Sequence, residues 1–400
     1  MLSKYKTYPL GNFIEQIRGV SYKKSDVSEV PKEGYIPLLR ANNIQAGKLV
    51  FSDVIYVKKE LVRDSQLIKK GDIVIAASSG SKEVVGKSGQ AHSDYDCSFG
   101  AFCKLIRAKE NINPRFLGYF FKTDYYSSSI SNSVNGANIN NLRNEHIDNL
   151  LIPIPSVSTQ EKIANVLDKA QELIDKRKAQ IEALDQLTQS VFLEMFGDLK
   201  NNRYNWPIAE LGDVCISIKD GPHVSPKYTQ KGIPFISVNN IINNKWDFTN
   251  VKYISETDYE IFAKRCKPEK GDILYTKGGT TGFAKYIDID IKFMNWVHLA
   301  VLKYDKNIMD GIFLTHMLNS HFCYAQSQKY TRGIANRDLV LSQMKKIKVL
   351  VPPLERQKKF VSIVEKIESQ KAMIESSLTE LENNFNSLMQ RAFKGELFND

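Results

Sequence analysis

Over residues 158–197 the apolar side chains return in steps of four and three: Ile163, Leu167, Ala170, Ile174, Ile181, Leu184, Val191 and Met195. That spacing draws an a/d stripe and predicts one long helix whose seam lies against a partner helix. No Pro or Gly interrupts residues 159–196, and Gly197 supplies the stop. Ser158 with Glu161 reads as a capping box, placed just after Pro153 and Pro155. The same stripe recurs over residues 356–393 as Phe360, Val364, Ile367, Ile374, Leu378, Leu381, Phe385, Leu388 and Ala392, and ends at Gly395. Ile163 and Phe360, Leu184 and Leu381, and Val191 and Leu388 are each 197 positions apart. One helical element is therefore used twice. Arg177 and Lys371 interrupt the seam, each matched by an apolar residue in the other copy (Ile374 and Ile174). A snorkelling side chain accounts for them, and a register-fixing charge is the alternative.

The repeat extends beyond the helices. Ile36-Pro37-Leu38-Leu39 and Asn42-Asn43-Ile44 return as Ile233-Pro234-Phe235-Ile236 and Asn239-Asn240-Ile241, again 197 apart. Lys70-Gly71-Asp72-Ile73 returns as Lys270-Gly271-Asp272-Ile273 at 200, so a loop between has grown by three residues. The offset is back to 197 at Gly136/Gly333, Leu142/Leu339 and Gln160/Gln357. Each half is thus a globular unit of about 150 residues followed by a long helix, a duplication with pseudo-two-fold symmetry rather than a solenoid. Short β-type runs are expected at 50–57, 72–77, 102–106, 251–254, 272–276 and 298–303. Helices are expected from Pro114 to about Ser128, burying Phe116, Phe120 and Tyr125, and from Ile312 to about Gln328, burying Phe313, Met317 and Phe322. The globular units therefore read as α+β.

Composition narrows the class. Hydrophobic residues at 42% and charged residues at 25% are those of a globular chain with real cores. Residues 1–10 contain no apolar leader core, and no stretch approaches the ~18 apolar residues of a membrane span. Five cysteines, an odd number without a CxxC pair, point to reduced thiols and a cytoplasmic location. A net charge of +10 suits a polyanion partner without establishing one.

The motifs of an enzyme are missing. Residues 80–88 place five residues between glycines where a phosphate-binding loop needs four. His316 and His321 stand five apart with no glutamate between, which fits core or surface histidines better than metal ligands. Paired carboxylates, a GxSxG elbow and a GxGxxG after a strand are all absent. No metal, cofactor or catalytic residue is expected on this chain. What remains is two polar, donor-rich loops in each half. The first carries Ser78, Ser79, Ser81 and Lys82, matched by Lys277, Thr280 and Thr281 around Gly278-Gly279. Glycine allows close backbone approach, hydroxyls can hold phosphate oxygens, and lysine neutralises charge. The second carries Asn135, Asn138, Asn140 and Arg143, matched by Arg332, Asn336 and Arg337. Asparagine can read adenine and arginine guanine in the major groove. A single loop of this kind is an ordinary solvated turn; its duplication in both halves favours DNA.

These pieces together resemble the specificity subunits of type I restriction-modification systems. The resemblance rests on the two Lys-Gly-Asp-Ile stretches, on Pro155/Gln160 and Pro352-Pro353/Gln357 ahead of the helices, and on Met195-Phe196-Gly197-Asp198. It rests also on Trp206-Pro207 with Leu211-Gly212-Asp213-Val214, and on the ending Arg391-Ala392-Phe393-Lys394-Gly395-Glu396-Leu397-Phe398. It spans essentially the whole chain. It implies two target recognition domains, residues 1–157 and 198–355, separated by two long antiparallel coiled-coil helices, the first over residues 158–197 and the second, with a C-terminal tail, over residues 356–400. The helix pair would meet through Ile163, Leu167, Ile174, Ile181 and Leu184 on one side and Val364, Ile367, Leu378, Leu381 and Phe385 on the other. It further implies a non-catalytic subunit reading a bipartite, gapped site in double-stranded DNA. Its partners would be two methyltransferase subunits using S-adenosylmethionine to modify adenine, and restriction subunits using ATP and magnesium.

Helix geometry agrees with that expectation. About 38 helical residues span ~57 Å, against ~34–36 Å for a duplex turn. Helix length would then set the gap between half-sites, and four residues inserted after Ala179 would change it. Two rival classes are a self-sufficient DNA methyltransferase or nuclease, which the missing motifs disfavour, and a coiled-coil scaffold, which predicts no sequence-dependent DNA binding.

Overall fold

The computed structural model describes residues 3–135, 141–198, 202–242, 244–333 and 337–398. The chain divides into two compact units, Met1–Lys178 with Ser376–Asp400, and Ala179–Glu375. The two long helices, Val157–Phe196 and Leu354–Lys394, therefore each contribute one half to each unit. The two cuts fall at matching places, since Lys178 and Glu375 are 197 positions apart.

In the first unit the larger sheet runs in the order Ile14–Arg18, Cys103–Ala108, Ile73–Ala76, Ser88–Gln90, Lys48–Leu49, Ile44–Gln45. A second sheet orders Ser98–Phe99, Tyr35–Leu39, Ile55–Lys58 and Val27–Ser28. The second unit repeats the pattern with Cys215–Asp220, Leu299–Tyr304, Ile273–Thr276, Ala284–Tyr286, and a smaller sheet of Lys252–Ile254, Ile233–Ile236 and Met294–Asn295. Register matches as well: Ile73 lies opposite Ile106, and Ile273 opposite Leu302. The strands Ile73–Ala76 and Ile273–Thr276 are buried at every position, which is why they read as unbroken apolar runs.

The Lys-Gly-Asp-Ile stretch now has a physical account. Its glycines take φ +90° (Gly71) and +94° (Gly271), a left-handed turn that a side chain would strain. The aspartate that follows closes the turn: Asp72 accepts the Lys69 N–H at 2.7 Å, and Asp272 the Glu269 N–H at 2.9 Å. Each carboxylate then takes a cation from the neighbouring strand, Arg107 at 2.6 Å and Lys303 at 2.5 Å. The motif fixes the entry to the central strand.

Within each unit the two half-helices pack antiparallel. In the first, Lys178 pairs with Glu382 at 2.8 Å, and Tyr119 touches both Asp168 (2.6 Å) and Phe385. Ile163, Leu167 and Ile174 are buried there with Phe385, and Leu378 and Leu381 pack against that core. In the second, Lys371 donates to Asp185. Val364 and Ile367 are buried, while Ile181 and Leu184 are half-buried. Lys371 thus breaks the apolar seam with a charge that has a fixed partner. An aromatic cluster ties each pair to its globular part. Phe313 meets Phe196 at 4.7 Å, and at the equivalent positions Phe116 meets Phe393 at 4.9 Å.

The glutamines ahead of the helices act as clamps. Gln160, 1% exposed, accepts the Asn113 N–H at 2.8 Å and donates to Pro155 O at 2.9 Å. Gln357, fully buried, accepts the Asp310 N–H at 2.8 Å and donates to Ile308 O at 2.9 Å and Pro352 O at 2.8 Å. Asn113 and Asp310 are themselves N-caps of the globular helices. Gln357→Leu strands two carbonyls and one N–H in a buried site, and is expected to destabilise the second unit by about 2–3 kcal/mol. Urea denaturation reads this directly; a cost below ~0.5 kcal/mol would contradict the clamp.

Four expectations need correction. The first long helix begins at Val157 and is capped by Ser156, whose Oγ accepts the Thr159 N–H at 3.4 Å, so Ser158 is already helical. The helix read from Pro114 is two helices, Pro114–Phe120 and Asp124–Asn135, because Thr123 Oγ1 binds back to Phe120 O (2.7 Å) and caps the next turn at the Tyr126 N–H (3.2 Å). Ser320 does the same between Gly311–Leu318 and His321–Tyr330. The run at 50–57 is strand only over Ile55–Lys58.

His316 and His321 consequently sit on successive helices, and His316 packs edge-on to Phe360 at 5.4 Å. Burial pushes its pKa from 6.5 down to about 4. The folded chain refuses a proton that the unfolded chain accepts, so stability is lost as pH falls from 6.5 towards about 4. His316→Gln is expected to flatten that part of the profile, measured as the difference in urea midpoints between about pH 7.5 and pH 5. Equal slopes for both proteins would contradict it.

Candidate nucleic-acid interface

Each central strand delivers its C-terminal end to the first polar loop, and there the second polar loop closes on it. Leu142 N–H donates to Ala77 O at 2.7 Å, and Leu339 N–H to Lys277 O at 2.7 Å. Single bridges, Ser78 to Asn141 and Gly278 to Asp338, complete the junction. Two stretches about sixty residues apart in sequence thus form one polar surface in each unit.

In the first unit, Ser78 and Ser79 are half-buried, while Ser81 and Lys82 are exposed. Ser79 Oγ accepts the Ser81 N–H at 3.2 Å, which shapes the loop. Arg143 is exposed beside Glu145, at 3.4 Å. Asn138, Asn140 and the side chain of Asn135 lie outside the described residues.

The second unit carries a cleft of about 1130 Å³ at the same junction. Lys277, Thr280 and Arg337 from the expected loops line it. Thr280 and Arg332 are exposed; Arg337 is half-buried and donates to Gln328. Two expected contacts have other duties. Lys277 is 6% exposed, its ammonium 3.1 Å from Asp338 and 3.6 Å from Asp220, so its charge is neutralised internally rather than offered to phosphate. Thr281 is buried, its hydroxyl 3.0 Å from that of Thr331. Asn336 lies outside the described residues.

The cleft also contains side chains that the loop patterns did not reveal. Tyr228 lies under Lys252, whose ammonium is 4.3 Å from the ring centre, and both line the wall. Trp296 and exposed His298 come from the segment leading into strand Leu299–Tyr304. Gly278 lets the first loop lie against that imidazole, since a Cβ there would stand 1.9 Å from His298 Nδ1. The only sequence signal was a Trp and a His beside a strand, too common a pattern to single out. Below the cleft floor Asp220 is buried. Burial alone would raise its pKa, but hydrogen bonds from Arg265 (2.5 Å) and His223 (3.2 Å) and the charge of Lys277 outweigh it and hold the carboxylate below its usual range.

Aromatic faces, amides and exposed cations around a concave polar wall suit nucleic acid better than a small apolar ligand. No group of three or more His, Cys, Asp or Glu able to hold a metal occurs among the described residues. The five cysteines are free, and burial pushes each thiol up to about 12. Among the described residues no helix is long and apolar enough to cross a membrane.

Comparison with known proteins matches this architecture. The family model for the type I restriction modification DNA specificity domain covers residues 3–184 and again 204–383. The chain is 30% identical over 418 residues to the EcoKI specificity subunit of Escherichia coli K12, spanning 97% of this chain and 88% of that one. It is 31% identical over 418 residues to the StySPI specificity subunit of Salmonella potsdam, spanning 98% and 89%. The S subunit of a type I system from M. genitalium shares the fold at TM-score 0.56 and 17% identity, over 98% of this chain and 96% of that one. A chain solved in work on complex assembly and conformational transition of the type I R-M system gives TM-score 0.57 and 19% identity, over 99% and 100%. The chain therefore belongs to the family of type I restriction-modification specificity subunits, with one copy of the specificity domain in each half.

Proposed function

We propose that this chain is the non-catalytic, DNA-reading subunit of a type I restriction-modification assembly, each unit reading one half of a gapped duplex site. The observation that carries the reading is the junction of the two polar loops, which recurs in both units and in the second opens into the cleft lined by Lys252, Thr280, Trp296 and His298. The base-reading candidates are the exposed members of those loops, including Ser81, Lys82, Arg143, Thr280 and Arg332, joined by Trp296 and His298. Methyl transfer to adenine and ATP-dependent cleavage are assigned to partner subunits, two of them methyltransferases binding S-adenosylmethionine. The long helices, ~60 Å at 1.5 Å per residue, are assigned the role of setting the gap.

Co-expression with the cognate methyltransferase, followed by mapping of modified adenines on a plasmid library, tests this. The expected result is a bipartite motif with a fixed gap, and an affinity that falls steeply with salt. Methylation without sequence preference, or methyl transfer by the purified chain alone, would overturn it.

A further inference from the structure

The two units present the same backbone junction with different chemistry. Bridge and sheet pairing place Asp338 where the first unit has Asn141, Lys277 where it has Ala77, and Asp220 where it has Arg18. In the second unit these residues form a chain of charges. Arg265 holds Asp220 at 2.5 Å, Asp220 lies 3.6 Å from Lys277, and Lys277 holds Asp338 Oδ1 at 3.1 Å. Asp220 and Lys277 are buried at 4% and 8% side-chain exposure, whereas Asp338 is 45% exposed and lines the cleft. Among the described residues, Asp338 Oδ2 has no hydrogen-bond partner.

A carboxylate at a surface facing phosphates is ordinarily repelled. Here Lys277 cancels its charge from behind and fixes its direction. Its backbone is pinned as well, by reciprocal bonds with Arg332 at 2.9 Å each. The result is a rigid acceptor with one open lone-pair face. Among the bases, guanine and thymine present only acceptors there, and adenine sets N7 beside its amino group. Cytosine presents N4–H₂ as its sole polar group in the major groove. Resting on the DNA-reading role proposed above, we infer that Asp338 is a specificity-determining residue that accepts a hydrogen bond from a cytosine amino group in the half-site read by the second unit. Asn141, an exposed amide at the matching place, gives the first unit a group that both donates and accepts, so the two units select different bases from one slot.

The test is selection from a randomised duplex library by the full-length chain with its co-purifying subunits, comparing wild type with Asp338→Asn and Asp338→Ala. Asp338→Asn, whose Oδ1 still accepts from Lys277, should melt as wild type does. Asp338→Ala leaves the buried Lys277 ammonium to Asp220 alone and should melt lower, so the Asn variant carries the comparison where the Ala variant fails to fold. The expected result is that one C·G pair in one half-site loses its preference by roughly 5- to 150-fold in each variant. Binding to random duplex should at the same time hold or rise, because a negative charge has been removed. A merely structural role would weaken binding to every sequence alike. A motif unchanged in both variants, or a change confined to an A·T pair, overturns the inference. A wild type that selects no motif overturns the DNA-reading role itself, a separate and earlier failure.

Discussion

Phe360→Ala is expected to cost the second unit about 3–5 kcal/mol. The ring is fully buried and touches Phe192 at 5.5 Å, Phe196 at 5.6 Å, Phe313 at 6.3 Å and His316 at 5.4 Å. Two of those partners lie on the first long helix and two on Gly311–Leu318, so the ring joins both half-helices to the globular part. Truncation leaves a void that none of the four can fill without leaving its own contacts. A urea midpoint shifted by less than the equivalent of ~1 kcal/mol would show that the cluster repacks and that helix and globular part are joined elsewhere.

The second large effect concerns recognition. Four residues inserted after Ala179, with four more after Ser376, add about one turn (~6 Å) to each long helix where one unit gives way to the other. Pairing in each unit is expected to survive, because the contacts Lys178–Glu382 and Asp185–Lys371 lie on either side of the insertion. Mapping of modified adenines should then return the same half-sites at a changed gap. An unchanged gap would mean that helix length does not set it; changed half-sites would mean that the insertion has disturbed the reading surfaces. Insertion after Ala179 alone, expected from the sequence to change the gap, instead puts one helix out of step with the other, because both helices are shared between the units, and loss of binding is the expected outcome.

The long helices were legible because their signal is dense. An a/d stripe of eight or nine positions, free of Gly and Pro, leaves little else for the chain to do. The duplication was legible for a different reason: offsets of 197 and 200 need only residue identities. The break at Thr123 was hidden because a hydroxyl that competes with the backbone looks, in sequence, like any polar position on a helix face. Lys277 was misjudged on similar grounds. A lysine after a strand and before Gly-Gly resembles a phosphate ligand. That it is buried depends on Asp220, which lies 57 positions away in the chain. The polar loops could be found but their neighbours could not, since Trp296 and His298 enter the cleft through tertiary packing that no local pattern encodes. Gln160 and Gln357 stood out only as matched letters; each accepts an N–H and donates to one or two carbonyls, which explains why glutamine, with both a donor and an acceptor, serves there.

Residues 376–394, which complete the first unit, leave the ribosome only after the entire second unit has been made. During synthesis the apolar stripe of Ile163, Leu167 and Ile174 must therefore wait, covered only by the globular residues of its own unit, for a mate more than two hundred codons downstream. Nascent chains of this protein should accordingly depend on a holdase, or on slow passage through a partly collapsed state, until residues 376–394 have been made.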